Sequence, residues 1–208
     1  MKIAFREKLR AERAAAFTAR PDASKHAARH FISNITIPVG AVVAIYHPLK
    51  DELDTKPLAQ ALLDNGVPLA LPVVTGTNEP LIFKAFKEGD DLVQGAFGVM
   101  TPTDAAPTII PSIVVTPLLG FTKKGLRLGY GGGFYDRTLA NLKQQGDVLA
   151  VGFAFGAQEL NKLPQEPTDQ YLDWIVTERG AFKTNRPNTP DETMAVGWFS
   201  KLMSTFRF

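Results

Sequence analysis

The sequence predicts an open, doubly wound α/β domain, three-layered (α/β/α) around a mostly parallel sheet. Short apolar runs rich in Val and Ile recur, as in Ala41–Tyr46 and Ile113–Thr116. Such runs lack the polar alternation of a half-exposed strand, so they read as strands covered on both faces. Segments with helical spacing separate them, and strand–helix alternation implies parallel pairing through crossovers. The chain of 208 residues, 45% hydrophobic and 21% charged, has the make-up of one globular domain that buries its core without staples.

Residues 2–19 are rich in Ala, Arg, Lys and Glu and lack Gly and Pro, which favours a helix that Pro21 ends. A second helix follows over 22–35, with Asp22 as its N-cap. After the strand at 41–46, Asp54 to Asn65 is helical, with Leu58, Ala61 and Leu62 on one face and Asn65-Gly66 closing it. Pro68–Val74, Leu81–Phe86 and Ile113–Thr116 are strands. A glycine-rich loop then leads into a helix from about Tyr135 to Gln145, and Val148–Phe153 and Leu172–Thr177 complete the sheet. A single α/β domain is expected to span 1–182. Residues 183–208 divide into a linker and an amphipathic C-terminal helix, where Ala195, Trp198, Phe199, Leu202 and Phe206 recur at helical spacing.

Several function classes fall away. The chain has no cysteine, so disulfides, a thiol nucleophile and thiolate metal sites are out. A net charge of +2, from 23 basic and 21 acidic residues, is too balanced for a general nucleic-acid binder. The first residues lack the apolar core of a signal peptide, and no apolar run is long enough to span a bilayer. The expected location is the cytoplasm, with no membrane partner; the sequence sets no oligomeric state. Basic residues do cluster locally: Lys2, Arg6, Lys8, Arg10, Arg13 and Arg20 crowd the first helix and suit an anion.

The strongest chemical signal is the stretch from Lys124 to Arg137. Gly129, Gly131, Gly132 and Gly133 leave backbone amides open to close approach by an anion. The helix that follows points its positive end back into the loop. Arg127 and Arg137 flank the glycines, so phosphate is the natural guest. Asp136 sits where phosphate charge would gather, which implies an intervening Mg²⁺. Gly120 and Gly125 have Walker-A spacing, but Leu126-Arg127 replaces the required Lys-Ser/Thr; a dinucleotide fingerprint fails on the spacing of its third glycine. His26 and His30 stand four apart without the acidic context of a zinc helix, and read as a solvated face.

The segment Gly125-Leu126-Arg127-Leu128-Gly129-Tyr130-Gly131-Gly132-Gly133-Phe134-Tyr135-Asp136-Arg137 resembles the signature of the 5-formyltetrahydrofolate cyclo-ligase family. Three further segments agree in order: Lys2 and Arg6 followed by Arg13, Glu52-Leu53-Asp54-Thr55, and Leu163-Pro164 through Asp169, Leu172-Asp173 and Thr177-Glu178. The resemblance covers about 2–178. Thr122 and Thr168 stand where the family often has Asp and His.

The resemblance implies an ATP-dependent reaction that converts 5-formyltetrahydrofolate to 5,10-methenyltetrahydrofolate, with release of ADP and phosphate. The formyl oxygen is first phosphorylated because an amide oxygen leaves poorly. It also implies that Lys2, Arg6, Arg127, Leu128, Gly129, Tyr130, Gly131, Gly132, Gly133, Phe134 and Tyr135 hold ATP. Arg6, His47, Glu52 and Tyr130–Phe134 would hold the folate, Arg127, Tyr135 and Lys2 would assist the chemistry, and Asp136 and Asp169 would hold Mg²⁺. Phe83 and Phe97 are candidate pocket walls. The competing expectation is a folate-binding protein of the same fold that does not turn its ligand over.

Overall fold

The computed structural model describes residues 2–185; for Lys2, Ile3 and Ala4 the backbone alone is described. The predicted C-terminal helix therefore lies outside the described residues. Two helices open the chain, α1 (Lys2–Ala19) and α2 (Ala23–Asn34). They are followed by β1 (Val43–Ala44), α3 (Lys56–Asp64), β2 (Leu69–Val73) and β3 (Ile82–Phe86). A hairpin comes next, β4 (Leu92–Gln94) and β5 (Met100–Pro102), then β6 (Ile113–Thr116). A second hairpin pairs β7 (Gly120–Phe121) with β8 (Arg127–Leu128). The chain then forms α4 (Phe134–Gln145), β9 (Leu149–Phe153), β10 (Trp174–Thr177) and β11 (Gly180–Lys183).

Seven strands form the main sheet in the order β11-β10-β9-β6-β1-β2-β3. Pairing is parallel from β2 through β1, β6 and β9 to β10, and antiparallel only where β3 and β11 join the edges. The expected open, mostly parallel sheet is present. Strand order reverses at β1, which has β2 on one side and β6 on the other, and the carboxyl ends of β1 and β6 flank that switch point.

Side chains alternate cleanly between two cores. Val43, Leu69, Leu71, Ile113, Val115, Val151 and Phe153 face α2 and α3, where they meet Phe31, Leu58 and Leu62. Ala44, Ala70, Val114, Ala150 and Ile175 face the other way, onto Leu139 and Leu142 of α4. Phe31 is wholly buried, and its truncation to Ala would cost about 3–5 kcal/mol. The two faces explain the apolar runs: a strand buried on both sides has few positions for a polar residue. Helix α1 is set apart. Its Leu9 packs with Leu119 and Leu128 at the ends of the β7–β8 hairpin, in a small third cluster beside the switch point.

Three local features add to the sequence reading. The sheet runs past the predicted boundary at 182: β11 continues to Lys183, Thr184 Oγ1 donates to the Leu172 carbonyl at 2.6 Å, and the Asn185 amide reaches the Lys123 carbonyl at 3.1 Å. Residues 183–185 are thus domain, because an antiparallel return strand is marked only by a tight turn at Arg179-Gly180, which no long linker signal accompanies. Asp22 stands at the N-cap position of α2 but makes no capping bond; its carboxylate accepts from Lys25 instead, at 3.1 Å. The two short hairpins, β4–β5 and β7–β8, were not predicted, since two- and three-residue strands are too short for any periodicity to register.

Candidate active site

The crevice at the switch point opens into a cavity of about 890 Å³. That is near the upper end for a single small-molecule site, and so has room for more than one ligand group. Arg6, His47, Glu52, Arg127, Leu128, Gly129–Gly133, Phe134, Tyr135, Asp136 and Asp169 all line it. Every predicted site residue with a described side chain therefore meets in one place, although Arg6 and Asp169 are far apart in sequence. Lys2 begins α1, and its side chain lies outside those described.

Each element delivers its part for a local reason. Helix α4 starts at Phe134, with Gly133 as N-cap in the left-handed region (φ 66°) and no side chain capping the first turn. The first amide groups of α4 thus remain open towards the cavity, an arrangement that favours an anion. Gly131 has φ +108°, and a Cβ there would sit 3.2 Å from the Arg6 guanidinium; the close passage of the loop under α1 depends on its lacking a side chain. Arg6 holds that passage, with Nε donating to the Gly129 carbonyl at 3.1 Å. Arg137 holds the far end of the loop: it donates to the Gly132 carbonyl at 2.8 Å and its guanidinium lies 5.1 Å from the Phe134 ring centroid.

The two carboxylates expected to hold Mg²⁺ both act on Arg127. Its side chain is only 4% exposed and donates to Asp136 Oδ1 at 2.7 Å and to the Gln170 carbonyl at 2.7 Å. Two nitrogens of Arg127, an expected ATP-holding residue, are thus engaged with protein, one of them with Asp136. Burial lowers the proton affinity of the guanidinium, and the charges of Asp136 and Asp169 oppose that shift. Asp136 Oδ1 also accepts from the Gln170 amide at 3.0 Å, and Asp169 Oδ2 from the Glu166 amide at 2.8 Å. The other oxygen of each carboxylate takes no hydrogen bond among the described residues. Those residues contain no cluster of three His, Cys, Asp or Glu able to cage a metal alone. Two half-free carboxylates beside an anion site fit Mg²⁺, which takes one or two protein carboxylates and fills its remaining positions with phosphate oxygens and water.

Glu52, 4% exposed, lines the cavity from the loop after β1. The Leu49 amide donates to its Oε2 at 2.8 Å, and the Tyr130 hydroxyl donates to its Oε1. Burial raises the Glu52 pKa above the usual carboxylate range; the bonds from Tyr130 and Leu49 and the charge of Arg13 oppose the shift. Burial, then the charge of Glu52, also push the Tyr130 and Tyr135 phenols upward, so both remain protonated donors.

The sequence did not single out Tyr46 as a wall. Its hydroxyl donates to the Leu53 carbonyl at 2.6 Å, and nothing distinguished it in sequence from any strand-end aromatic. Val99 and Gln170 were also missed. Phe97 does line the cavity, 68% exposed and edge-on to Phe134 with centroids 5.7 Å apart, whereas Phe83 is core. Thr168 reaches the cavity; Thr122 is buried in the β7–β8 turn. Glu178 acts on structure, accepting from the Gly156 amide at 2.7 Å and pairing with Arg20 at 3.3 Å.

Fold and cavity together define an open α/β protein with a ligand crevice at its switch point, suited to an anion beside a divalent cation. The model of the 5-formyltetrahydrofolate cyclo-ligase family matches residues 1–178, and the chain belongs to that family. It is 33% identical to the 5-formyltetrahydrofolate cyclo-ligase of Escherichia coli (strain K12) over 158 residues, 74% of this chain and 86% of that one. The Haemophilus influenzae enzyme of the same name is 36% identical over 132 residues, covering 61% and 70%. Among solved structures, the 5,10-methenyltetrahydrofolate synthetase of Aquifex aeolicus superposes with a TM-score of 0.74 at 28% identity, covering 90% of this chain and 95% of that one. Among the described residues no helix is long and apolar enough to cross a membrane.

Proposed function

We propose that this cyclo-ligase works in the cytoplasm, where it consumes Mg-ATP to close 5-formyltetrahydrofolate to 5,10-methenyltetrahydrofolate, releasing ADP and phosphate. The observation that carries the reading is the one cavity lined together by the uncapped start of α4, Arg6, Asp136, Asp169, Glu52 and the Gly129–Gly133 loop. ATP lies with its phosphates against the amides of the loop and the start of α4, near Arg6 and Arg127; Lys2 is a further expected ATP-holding residue. Mg²⁺ held by Asp136 and Asp169 would neutralise phosphate charge as it develops.

The folate lies towards Glu52 and His47, with Tyr130–Phe134 facing both ligands. The formyl oxygen attacks the γ-phosphorus and ADP leaves. N10 then attacks the activated carbon, the C–O bond breaks to release phosphate with the former formyl oxygen, and N10 gives up its proton. The protein positions the two reactants and spreads charge; it needs no covalent step of its own. Tyr135, protonated, is a donor placed to stabilise the transferring group.

The test is to mix the protein with Mg-ATP and 5-formyltetrahydrofolate and follow the methenyl product by its near-ultraviolet absorbance. Product dependent on both is expected. Tight folate binding without product would favour the non-catalytic reading.

A further inference from the structure

Three arginines of α1, at positions 6, 10 and 13, share one stripe of the helix, and all three converge on the Gly129–Gly131 segment. Arg6 holds the Gly129 carbonyl at 3.1 Å. The Arg10 guanidinium stands 5.7 Å from the Tyr130 ring centroid, and that of Arg13 5.5 Å. Arg13 differs from the other two in being buried, with a side chain 4% exposed. Its fork donates to both Asp51 oxygens, at 3.1 and 2.9 Å. Nη1 donates to the Tyr130 hydroxyl, which in turn donates to Glu52, and the same nitrogen lies 3.5 Å from Glu52 Oε1. The donors all run one way, from guanidinium to phenol to carboxylate, an order that requires Tyr130 neutral and is strongest with Glu52 ionised.

A buried ion pair of this kind rarely adds net stability over well-packed apolar residues, so stability alone does not account for it. What the cluster does is join three elements at the cavity: α1, the loop after β1, and the glycine loop. We propose that Arg13 is a positioning residue for the reaction, gripping Asp51, Glu52 and the Tyr130 hydroxyl so that the folate-side carboxylate stays fixed against the glycine loop. This rests on the reading of Glu52 as the folate-side carboxylate. Arg13 itself touches neither substrate.

Around Glu52 the charged and titratable groups are Arg13 from α1, Asp51 beside it, Tyr130 from the glycine loop, Tyr46 after β1, Tyr135 from α4 and His47 in the same wall. Arg13 is the cation in contact, and its charge opposes the burial that raises the Glu52 pKa. Removing it therefore drives that pKa higher, and the acid limb of kcat/KM for the folate moves to higher pH.

The experiment compares the wild type with Arg13→Gln, Arg13→Lys, Tyr130→Phe and Glu52→Gln, measuring kcat and both KM values across pH together with Tm. Arg13→Gln is expected to raise the KM for 5-formyltetrahydrofolate about 10- to 100-fold, the scale of a lost charged hydrogen bond, with the ATP KM nearly unchanged and the acid limb shifted upward. Arg13→Lys keeps the charge but not the fork, so it restores the limb while the KM stays raised. Tyr130→Phe breaks the bridge alone and raises the folate KM about 3- to 10-fold. The proposal is overturned if Arg13→Gln leaves folate KM and limb unmoved, or if both KM values rise together with a lower Tm and an unmoved limb. Should Arg13→Gln not fold, Arg13→Lys decides: an unchanged folate KM overturns the proposal. Failure of the underlying reading looks different, since Glu52→Gln would then leave the folate KM untouched.

Discussion

Two arginine–carboxylate pairs stand at the cavity, one towards the start of α4 and one towards the loop after β1, and they are built in opposite ways. Arg127 and Asp136 meet at 2.7 Å with the guanidinium 4% exposed and the carboxylate 26% exposed. Arg13 and Glu52 lie 3.5 Å apart with both side chains only 4% exposed. In the first pair the arginine is sunk and the acid looks outward, so one carboxylate oxygen remains for a ligand. In the second both are sunk, and the acid is accessible only through the face that borders the cavity. The first geometry suits a carboxylate that meets a hydrated cation, which brings its own water. The second suits one that recognises an organic group by hydrogen bonds in a dry setting, where an unmet partner is costly.

If the two pairs are so divided, their substitutions separate. The largest effect is expected at Asp136. Asp136→Asn keeps the size of the side chain and removes the charge. Turnover with Mg-ATP should fall about 100- to 1,000-fold, the scale of losing one preorganised electrostatic partner. Folate affinity, read by titration without nucleotide, should stay within about 3-fold, a change of less than ~1 kcal/mol. Equal loss of both affinities would erase the division.

Glu52→Gln is the converse and should raise the KM for the folate about 10- to 100-fold while sparing that for ATP. Its pH dependence carries a sign. Burial raises the pKa of Glu52, so its protonated fraction grows as pH falls through a value above the usual carboxylate range. Wild-type kcat/KM for the folate should therefore decline on that acid limb, and the glutamine variant should lack it. A limb that survives in Glu52→Gln belongs to another group.

Gly131 lies in the loop between Tyr130 and Asp136 and tests the seam. Gly131→Ala puts a side chain at φ +108° and 3.2 Å from the Arg6 guanidinium. Strain of this kind is worth about 1–3 kcal/mol, so a loss of roughly tenfold in kcat/KM is expected for both substrates alike. A loss confined to ATP would mean that the loop serves one ligand alone.

How much of this was legible beforehand depends on the range of the forces involved. The parallel sheet was readable because burial on both faces writes continuous apolar runs into the chain, and β1, β2, β6, β9 and β10 all carry them. The glycine loop was readable because positive φ and close approach demand residues without side chains. The partners of the site residues were not. Nothing around Arg127 in sequence announces that it closes on Asp136 and Gln170, because the Gln170 contact is made across 43 positions. Arg13 was noted only as part of a helical motif; that it is buried and joins Tyr130 to Glu52 follows from the third dimension alone.

The β4–β5 hairpin makes the smallest and most local prediction. Phe97 sits there with φ 59°, a backbone region that bulky residues rarely occupy, and its ring projects into the cavity against Phe134 while remaining 68% exposed. A core phenylalanine would be covered, and a surface one would not be held in such a conformation beside a ligand cavity. An aromatic wall beside Phe134 would stack on a flat aromatic ligand such as the folate, a contact worth about 0.5–1.5 kcal/mol beyond area. Phe97→Ala should therefore raise the folate KM about 3- to 10-fold and leave the ATP KM unchanged. Tm should hardly move, since the ring contributes little buried area to the fold. A shift in the ATP KM would place the hairpin beside the nucleotide instead, and a marked fall in Tm would make Phe97 a structural cap.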